Sequence, residues 1–256
     1  MRLSLAVSTL ALASAAAAWN TYVVPHTDGA DDSPALVAAL TTGNYSTNAT
    51  ILFQKGKHYN IWTPIKFPVF TNVEIAVEGN LSYPLTIKET QDQVGLSVSD
   101  SDLQGAGDSC MNTLYRAFPA AGPSRRPAVV VARLHLLPPT VRAAPHNQLT
   151  LHVPQTFAGH WFWFAGGTNV TLRGTTDPKW GWVDGHGQQW WDIRQQVNRP
   201  HGWAFRAIKG GEIRDMKLYQ PVAWSFSLSG SSNVRAHRNT IIAVSNNPDA
   251  AFPFNT

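Results

Sequence analysis

The chain has 256 residues, with ten Trp, one Cys and a formal charge of +4. That length supports one large core or two small ones, and a single cysteine, Cys110, excludes an internal disulfide. The charge is no footprint for nucleic acid: residues 96–155, with five Arg and three Asp, carry +2 of it, and little more than about +1 is left for the rest once Arg2 is set aside.

The chain opens on Arg2, a mostly apolar run from Leu3 to Ala13, and small residues from Ser14 to Ala18. This is the layout of a secretory signal cleaved before Trp19. The competing reading, an N-terminal membrane anchor, suffers from the shortness of the apolar run. The expected location is therefore extracellular, with no membrane and no nucleic acid as partner. Four sequons suit that route, at Asn44, Asn48, Asn80 and Asn169. They are candidate glycosylation sites, although each also fits ordinary turn or strand-end chemistry.

Asp31-Asp-Ser33 before Pro34-Ala-Leu-Val-Ala-Ala-Leu40 predicts a helix, with Ser33 as cap and Pro34 at the first helical position. Asp28, Asp31 and Asp32 around Gly29 could bind calcium, but they more simply start that helix. The runs 50–53, 73–77, 169–172, 212–218, 223–228 and 240–244 are short, partly alternating and bounded by Gly, Asn, Pro and Ser. They predict strands. Asn-Val recurs at 72, 169 and 233, and Ile213 and Val234 open similar units. A loose repeat of about 20–25 residues suits a β-solenoid in which asparagines ladder in the turns, with the helix closing one end. A β-sandwich with irregular loops is the alternative.

Residues 96–155 break this pattern. They hold neither Trp nor Lys and run through Pro119-Ala-Ala-Gly-Pro123, Ser124-Arg-Arg-Pro127 and Leu136-Leu-Pro-Pro-Thr140. Two readings remain: a Pro/Ala/Arg linker, or an insert never selected to fold, such as translated intron. Cys110 lies inside it and enters no mechanism.

Six of the ten Trp fall between 161 and 191. Indole serves cores and wet binding faces alike, and in an extracellular chain the C–H faces of sugars are natural partners. Core packing is the expected role of most of them, with Trp190 and Trp191 on opposite sides of one strand. The segment around Asp184, His186 and Asp192 has the residue types of a metal site, but its spacing matches no common ligand pattern and its glycines suggest a tight turn. Asp184 and Asp192 could also pair as acid and base across a sugar, against a simpler turn-capping role for Asp184. No Gly-x-Ser-x-Gly elbow or phosphate loop is present, and no metal or cofactor is expected.

Trp182-Val-Asp-Gly-His-Gly-Gln-Gln-Trp-Trp191 resembles the Asp-Gly-x-Gly-x-x-Trp-Trp segment of glycoside hydrolase family 28, which contains the polygalacturonases and rhamnogalacturonases. The likeness continues through Gly211-Glu-Ile-Arg-Asp-Met-Lys-Leu218, Gln220-Pro-Val-Ala-Trp-Ser-Phe226, Ser232-Asn-Val234, Asn239-Thr-Ile-Ile-Ala243 and Phe252-Pro-Phe-Asn255-Thr256, and Asp28-Gly-Ala-Asp-Asp-Ser33 fits as well. It covers residues 19–95 and 156–256. The resemblance implies an all-β chain, the N-terminal coils of a right-handed parallel β-helix, and inverting hydrolysis of pectin. It implies that Asn255 and Thr256 match the start of the family's Asn-Thr-Asp-Gly motif, so that the catalytic Asp would follow Thr256. No catalytic residue is then present, and the chain as given is expected to release no reducing sugar from pectin. Gly185-His186-Gly187 and Arg206-Ala-Ile-Lys209 do not correspond to the family's catalytic Gly-His-Gly and substrate-binding Arg-x-Lys. Asn255 and Trp224 are the candidate substrate-facing residues, Trp224 being as readily a core residue. The expected state is a monomer prone to aggregate at its last coil. Two other classes remain open: a non-catalytic polysaccharide-binding or degenerate solenoid, and a calcium-using polysaccharide lyase.

Overall fold

The computed structural model describes residues 19–97, 157–194, 198–247 and 249. Among these lie fifteen strands and three helices, and the expectations for 1–18, most of 96–155, Cys110 and Asn255–Thr256 fall outside them. The strands are β1 (Asn20–Val23), β2 (Thr47–Phe53), β3 (His58–Asn60), β4 (Ile65–Phe67), β5 (Phe70–Val77), β6 (Asn80–Ser82), β7 (Phe157–Phe164), β8 (Gly167–Arg173), β9 (Trp182–Asp184), β10 (Arg199–Arg206), β11 (Ile208–Arg214), β12 (Lys217–Tyr219), β13 (Phe226–Ser229), β14 (Ser232–His237) and β15 (Thr240–Ile242). The helices are α1 (Ser33–Thr42), α2 (Ile87–Ser97) and α3 (Gly187–Asp192).

Every pairing is parallel. The strands form three sheets: β1-β2-β5-β8-β11-β14, β13-β10-β7-β4 and β15-β12-β9-β6-β3. From β2 onward the chain visits the three in rotation, one strand in each per turn, and β1 adds to the edge of the six-stranded sheet. This is a parallel β-helix, and the sandwich alternative is excluded because a sandwich joins antiparallel neighbours. The described residues all fall in one compact unit.

The reason lies in the register. In the six-stranded sheet Ala49, Val73, Val170, Gly211 and Val234 stack, and two positions on Ile51, Ile75, Leu172, Ile213 and Ala236 do the same. Apolar residues thus recur at the same height of each coil, buried from Ile51 to Ile213 and open only in the last coil, where Ala236 is exposed. The repeat is 24 residues where Asn72 meets Asn48 and 23 where Asn239 meets Met216. Val234 therefore pairs with Gly211, not with Ile213. The predicted run 212–218 is split, because Asp215 adopts a left-handed φ of 56° and turns the chain from β11 into β12. The run 223–228 becomes strand only from Phe226.

The recurrent asparagines form the expected ladder. Asn48, Asn72, Asn169 and Asn233 all have positive φ, between 49° and 56°, a conformation asparagine tolerates better than most residues. Asn72 Nδ2 donates to Asn48 Oδ1 at 3.0 Å and Asn169 Nδ2 to Asn72 Oδ1 at 3.0 Å. Gly210 occupies the same position between Asn169 and Asn233, at φ +72°, with no atom within 4 Å of an added Cβ. Gly210→Asn should extend the ladder and stabilise the chain by about 0.5–1.5 kcal/mol, read as a higher urea midpoint. Gly210→Val, with a branched side chain forced to positive φ, should lower it.

Helix α1 starts differently from the expectation. Its N-cap is Asp32, which makes no side-chain cap bond, and the buried Ser33 hydroxyl has no partner, so Ser33 is not a cap. The acidic pair instead ties the helix to the first coil. Asp32, 3% exposed, accepts from Thr27 N at 3.0 Å, Asn60 N at 2.9 Å and the His26 ring at 2.9 Å. Asp31 accepts from Trp62 N at 3.0 Å and the Thr63 hydroxyl at 2.6 Å. The Asp32 contact, and then Asp28, raise the pKa of His26 against the opposing effect of burial. Leu36 and Leu40 enter the core, and α1 packs beside β4, the edge strand of its sheet. Helix α2 has no counterpart among the expected elements, yet Thr86-Ile-Lys-Glu89 is a capping box: the Thr86 hydroxyl accepts from Glu89 N, and the Glu89 carboxylate accepts from Thr86 N. It packs on β7 and β10. Trp190 and Trp191 lie in α3, not in a strand, and both are buried.

Candidate functional site

Three of the six clustered Trp (Trp161, Trp190 and Trp191) are core residues, and Trp163, Trp180 and Trp182 are half-buried. Trp161 stacks on Tyr83 at 4.7 Å and donates to the Ile61 carbonyl at 2.9 Å. Trp182 donates to the Pro178 carbonyl, with Lys217 5.7 Å from its ring.

The Asp184 segment is a turn. Asp184 Oδ1 accepts from His186 N at 2.9 Å, and His186 has a left-handed φ of 52°. The His186 ring meets the Ser82 hydroxyl at 2.8 Å. Asp192 accepts from Gln188 Nε2 at 2.7 Å. Asp184 caps the turn while Asp192 serves α3, so each carboxylate has a local structural role. No cluster of metal-ligating side chains occurs among the described residues.

The sheet β13-β10-β7-β4 holds a more distinctive constellation. In register, Ile65, Phe162, Trp203 and Phe226 form one row, and Lys66, Trp163, Ala204 and Ser227 the next. Ile65 and Phe67 are buried while Lys66 between them is exposed, which puts the second row on the outer side. Lys66 Nζ lies 4.2 Å from the centre of the Trp163 ring, and the Arg206 guanidinium 5.9 Å from it.

Further along β7 and β10, His160 and His201 meet edge to face at 5.5 Å. His201 stacks on Trp224 at 4.6 Å, and the Ser227 hydroxyl lies 2.9 Å from His160 Nε2. Burial lowers the pKa of His160 to about 4 and that of His201 to about 3, with His160 and Arg199 adding to the effect at His201. Both rings are therefore neutral at neutral pH. Trp224, half-buried, joins Ser225, Phe226 and Ile241 in lining a pocket of about 280 Å³. The Ser225 hydroxyl is buried there without a partner. The pocket thus offers an aromatic face, which suits a sugar.

The candidate glycosylation asparagines differ in setting. Asn44 is exposed in a bend after α1. Asn48 and Asn169 belong to the ladder, and the Asn80 side chain accepts from Trp182 N at 3.1 Å. Lys66, His160 and His201 were not anticipated as site residues. Their signal in the sequence is the absence of acidic residues from the strands that carry them.

No protein-family model matches the chain. A probable exopolygalacturonase C of Aspergillus fumigatus is 28% identical over 232 residues, 89% of this chain and 37% of that protein. Its counterpart in Aspergillus terreus is 27% identical over 257 residues, 98% of this chain and 44% of that protein. The sequence likeness is to exopolygalacturonases. The solved endo-xylogalacturonan hydrolase of Aspergillus tubingensis shares the fold, with a TM-score of 0.55 at 18% identity over 91% of this chain and 47% of that one. The likeness to glycoside hydrolase family 28 thus extends through sequence and fold. The chain spans about two fifths of the length of the curated relatives it matches. Among the described residues no helix is long and apolar enough to cross a membrane.

Proposed function

We propose that this chain forms the coil stack of an extracellular, pectin-degrading glycoside hydrolase of polygalacturonase type, acting by inversion on O-glycosidic bonds. The carrying observation is sequence likeness to exopolygalacturonases along 89% of the chain, on a parallel β-helix. Inversion requires a protonated carboxylic acid on one side of the bond and a carboxylate-activated water on the other. No described carboxylate is assigned either role, since Asp184 and Asp192 are engaged in their own turn and helix. The chain's own contribution is to hold the polymer. Trp224 supplies an apolar face at the pocket, and Asn255 is assigned to the substrate by its match to the first position of the Asn-Thr-Asp-Gly motif. Secretion through residues 1–18, glycosylation at the sequons and a monomeric state belong to the same reading.

Product chemistry tests it. A protein extending over the full length of the relatives and containing this chain should give saturated galacturonate products, with the inverted anomer appearing first by NMR. Unsaturated uronates formed only with a divalent cation would assign elimination instead. Pectin binding with no product at all would assign a non-catalytic module.

A further inference from the structure

Of the four sequons, three belong to the coils themselves. Asn48-Ala-Thr50 lies in β2, Asn80-Leu-Ser82 is the whole of β6, and Asn169-Val-Thr171 lies in β8. Each of these strands is paired on both sides, and the middle residue of each triplet, Ala49, Leu81 or Val170, is buried in the core. Asn48 and Asn169 are rungs of the asparagine ladder, at φ 49° and 53°. Asn72-Val-Glu74 and Asn233-Val-Arg235 repeat the same frame of a left-handed Asn followed by Val, with no Ser or Thr in third place. The frame is therefore a property of the coil, and a Thr two residues on completes a sequon by coincidence. Asn80 is engaged as well: its Oδ1 accepts from Trp182 N at 3.1 Å, and the Ser82 hydroxyl donates to the Tyr83 carbonyl and meets the His186 ring at 2.8 Å. Asn44-Tyr-Ser46 is different. It lies between α1 and β2, in no helix or strand, and Asn44 is exposed.

We propose that Asn44 is the N-glycosylated asparagine of the folded chain and that Asn48, Asn80 and Asn169 are structural. The inference rests on the secretory reading above and narrows it from four sequons to one. An N-glycan is joined through the side-chain nitrogen, is bulky and needs water around it. At Asn169 that nitrogen donates to Asn72 Oδ1 at 3.0 Å. A sugar there would enter the ladder, where neighbouring coils stand about 4.8 Å apart. Asn48 and Asn80 are half-buried. Asn48 Oδ1 holds the first rung of the ladder, and the Asn80 side chain lies against the backbone of Trp182 on the next coil. The bend at Asn44 puts the same group in solvent, so a glycan there disturbs neither a rung nor a sheet.

The full chain, produced in a yeast secretory host, tests this. Peptide N-glycosidase in heavy-oxygen water turns each glycan-bearing Asn into a labelled Asp, which peptide mass spectrometry locates. The soluble secreted protein should carry the label at Asn44 alone, and Asn44→Gln should abolish the glycan-dependent mobility shift. The unglycosylated chain from bacteria gives a second readout. Asn44→Gln should keep the wild-type urea midpoint, while Asn80→Gln and Asn169→Gln should lower it. A label at Asn48, Asn80 or Asn169 in soluble protein would overturn the inference, as would secreted protein with a bare Asn44. Equal loss of stability in Asn44→Gln and Asn169→Gln would overturn it too. If the chain stays in the cell with residues 1–18 attached and no glycan, the secretory reading falls; replacing those residues by the host's own leader then decides among the sequons separately.

Discussion

Trp203→Ala should lower the unfolding free energy by about 3–5 kcal/mol, the range for deleting a large buried aromatic. Trp203 is fully buried on β10, stacked on Phe162 at 3.7 Å with planes 8° apart. Phe67 and Phe164 lie beyond it at 6.5 and 6.4 Å. It is the middle of the row Ile65, Phe162, Trp203 and Phe226 that joins four successive coils. Removing it opens a cavity that rigid strands on both sides cannot close. Its indole N–H has no hydrogen-bond partner, so Trp203→Phe forfeits no bond and should cost clearly less, about 1.5 kcal/mol or below if the neighbours adjust. Urea unfolding followed by circular dichroism measures both. An alanine variant within 1 kcal/mol of wild type, on the order of an ordinary surface change, would mean that the aromatic row is not the core of the stack.

The second large effect is acid sensitivity. His160 and His201 have pKa values lowered by burial to about 4 and about 3. A histidine whose folded pKa lies below its unfolded value contributes stability that is complete above the unfolded value, near 6.5, and is lost as pH falls toward the folded one. Between pH 6.5 and 4 each such ring should cost about 1.4 kcal/mol per pH unit. The carboxylates of Asp177, Glu212 and Asp215 act in a separate window. Hydrogen bonds to Lys55, His237 and Arg238 respectively hold them below their ordinary values, so their contribution is lost only in stronger acid. The wild-type melting temperature should therefore fall steadily from pH 6.5 to 4. The variant His160→Gln with His201→Gln should fall less steeply over the same range, whatever its stability at pH 7. Parallel curves would show that the two rings do not titrate with unfolding.

Much of the fold was legible because the solenoid writes its period into the sequence. The asparagines at 72, 169 and 233 recur because each coil needs one residue with positive φ at the same turn, and the apolar residues after them recur because each coil buries the same row. The strand ends were less legible. Asp215 sits inside what reads as a continuous strand, and only its left-handed conformation, fixed by the coil geometry, reveals a corner. Trp190 and Trp191 illustrate the same limit. An apolar pair next to glycine fits a strand or a short helix equally well, and the packing of α3 over the coils decides it. Ser33 had the right type and position for a cap, yet Asp31 and Asp32 tie the helix to the first coil and leave its hydroxyl unused.

The candidate site was legible only in part. Trp224 and the carbohydrate reading follow from tryptophan density and the family likeness. The cationic row beside Trp163 does not, because Lys66, Trp163 and Arg206 are far apart in the chain and meet only through the register of β4, β7 and β10. Sequence spacing cannot bring together residues that stand on different coils.

The most direct test of the account is calorimetric titration of the purified chain with galacturonate oligomers, alongside their methyl esters and neutral galactose oligomers. The free acids should bind, with an affinity that weakens as salt is raised, and the esters and neutral sugars should bind far more weakly. Equal affinity for neutral and acidic oligomers, or no heat with any of them, would contradict a coil stack built to hold galacturonan.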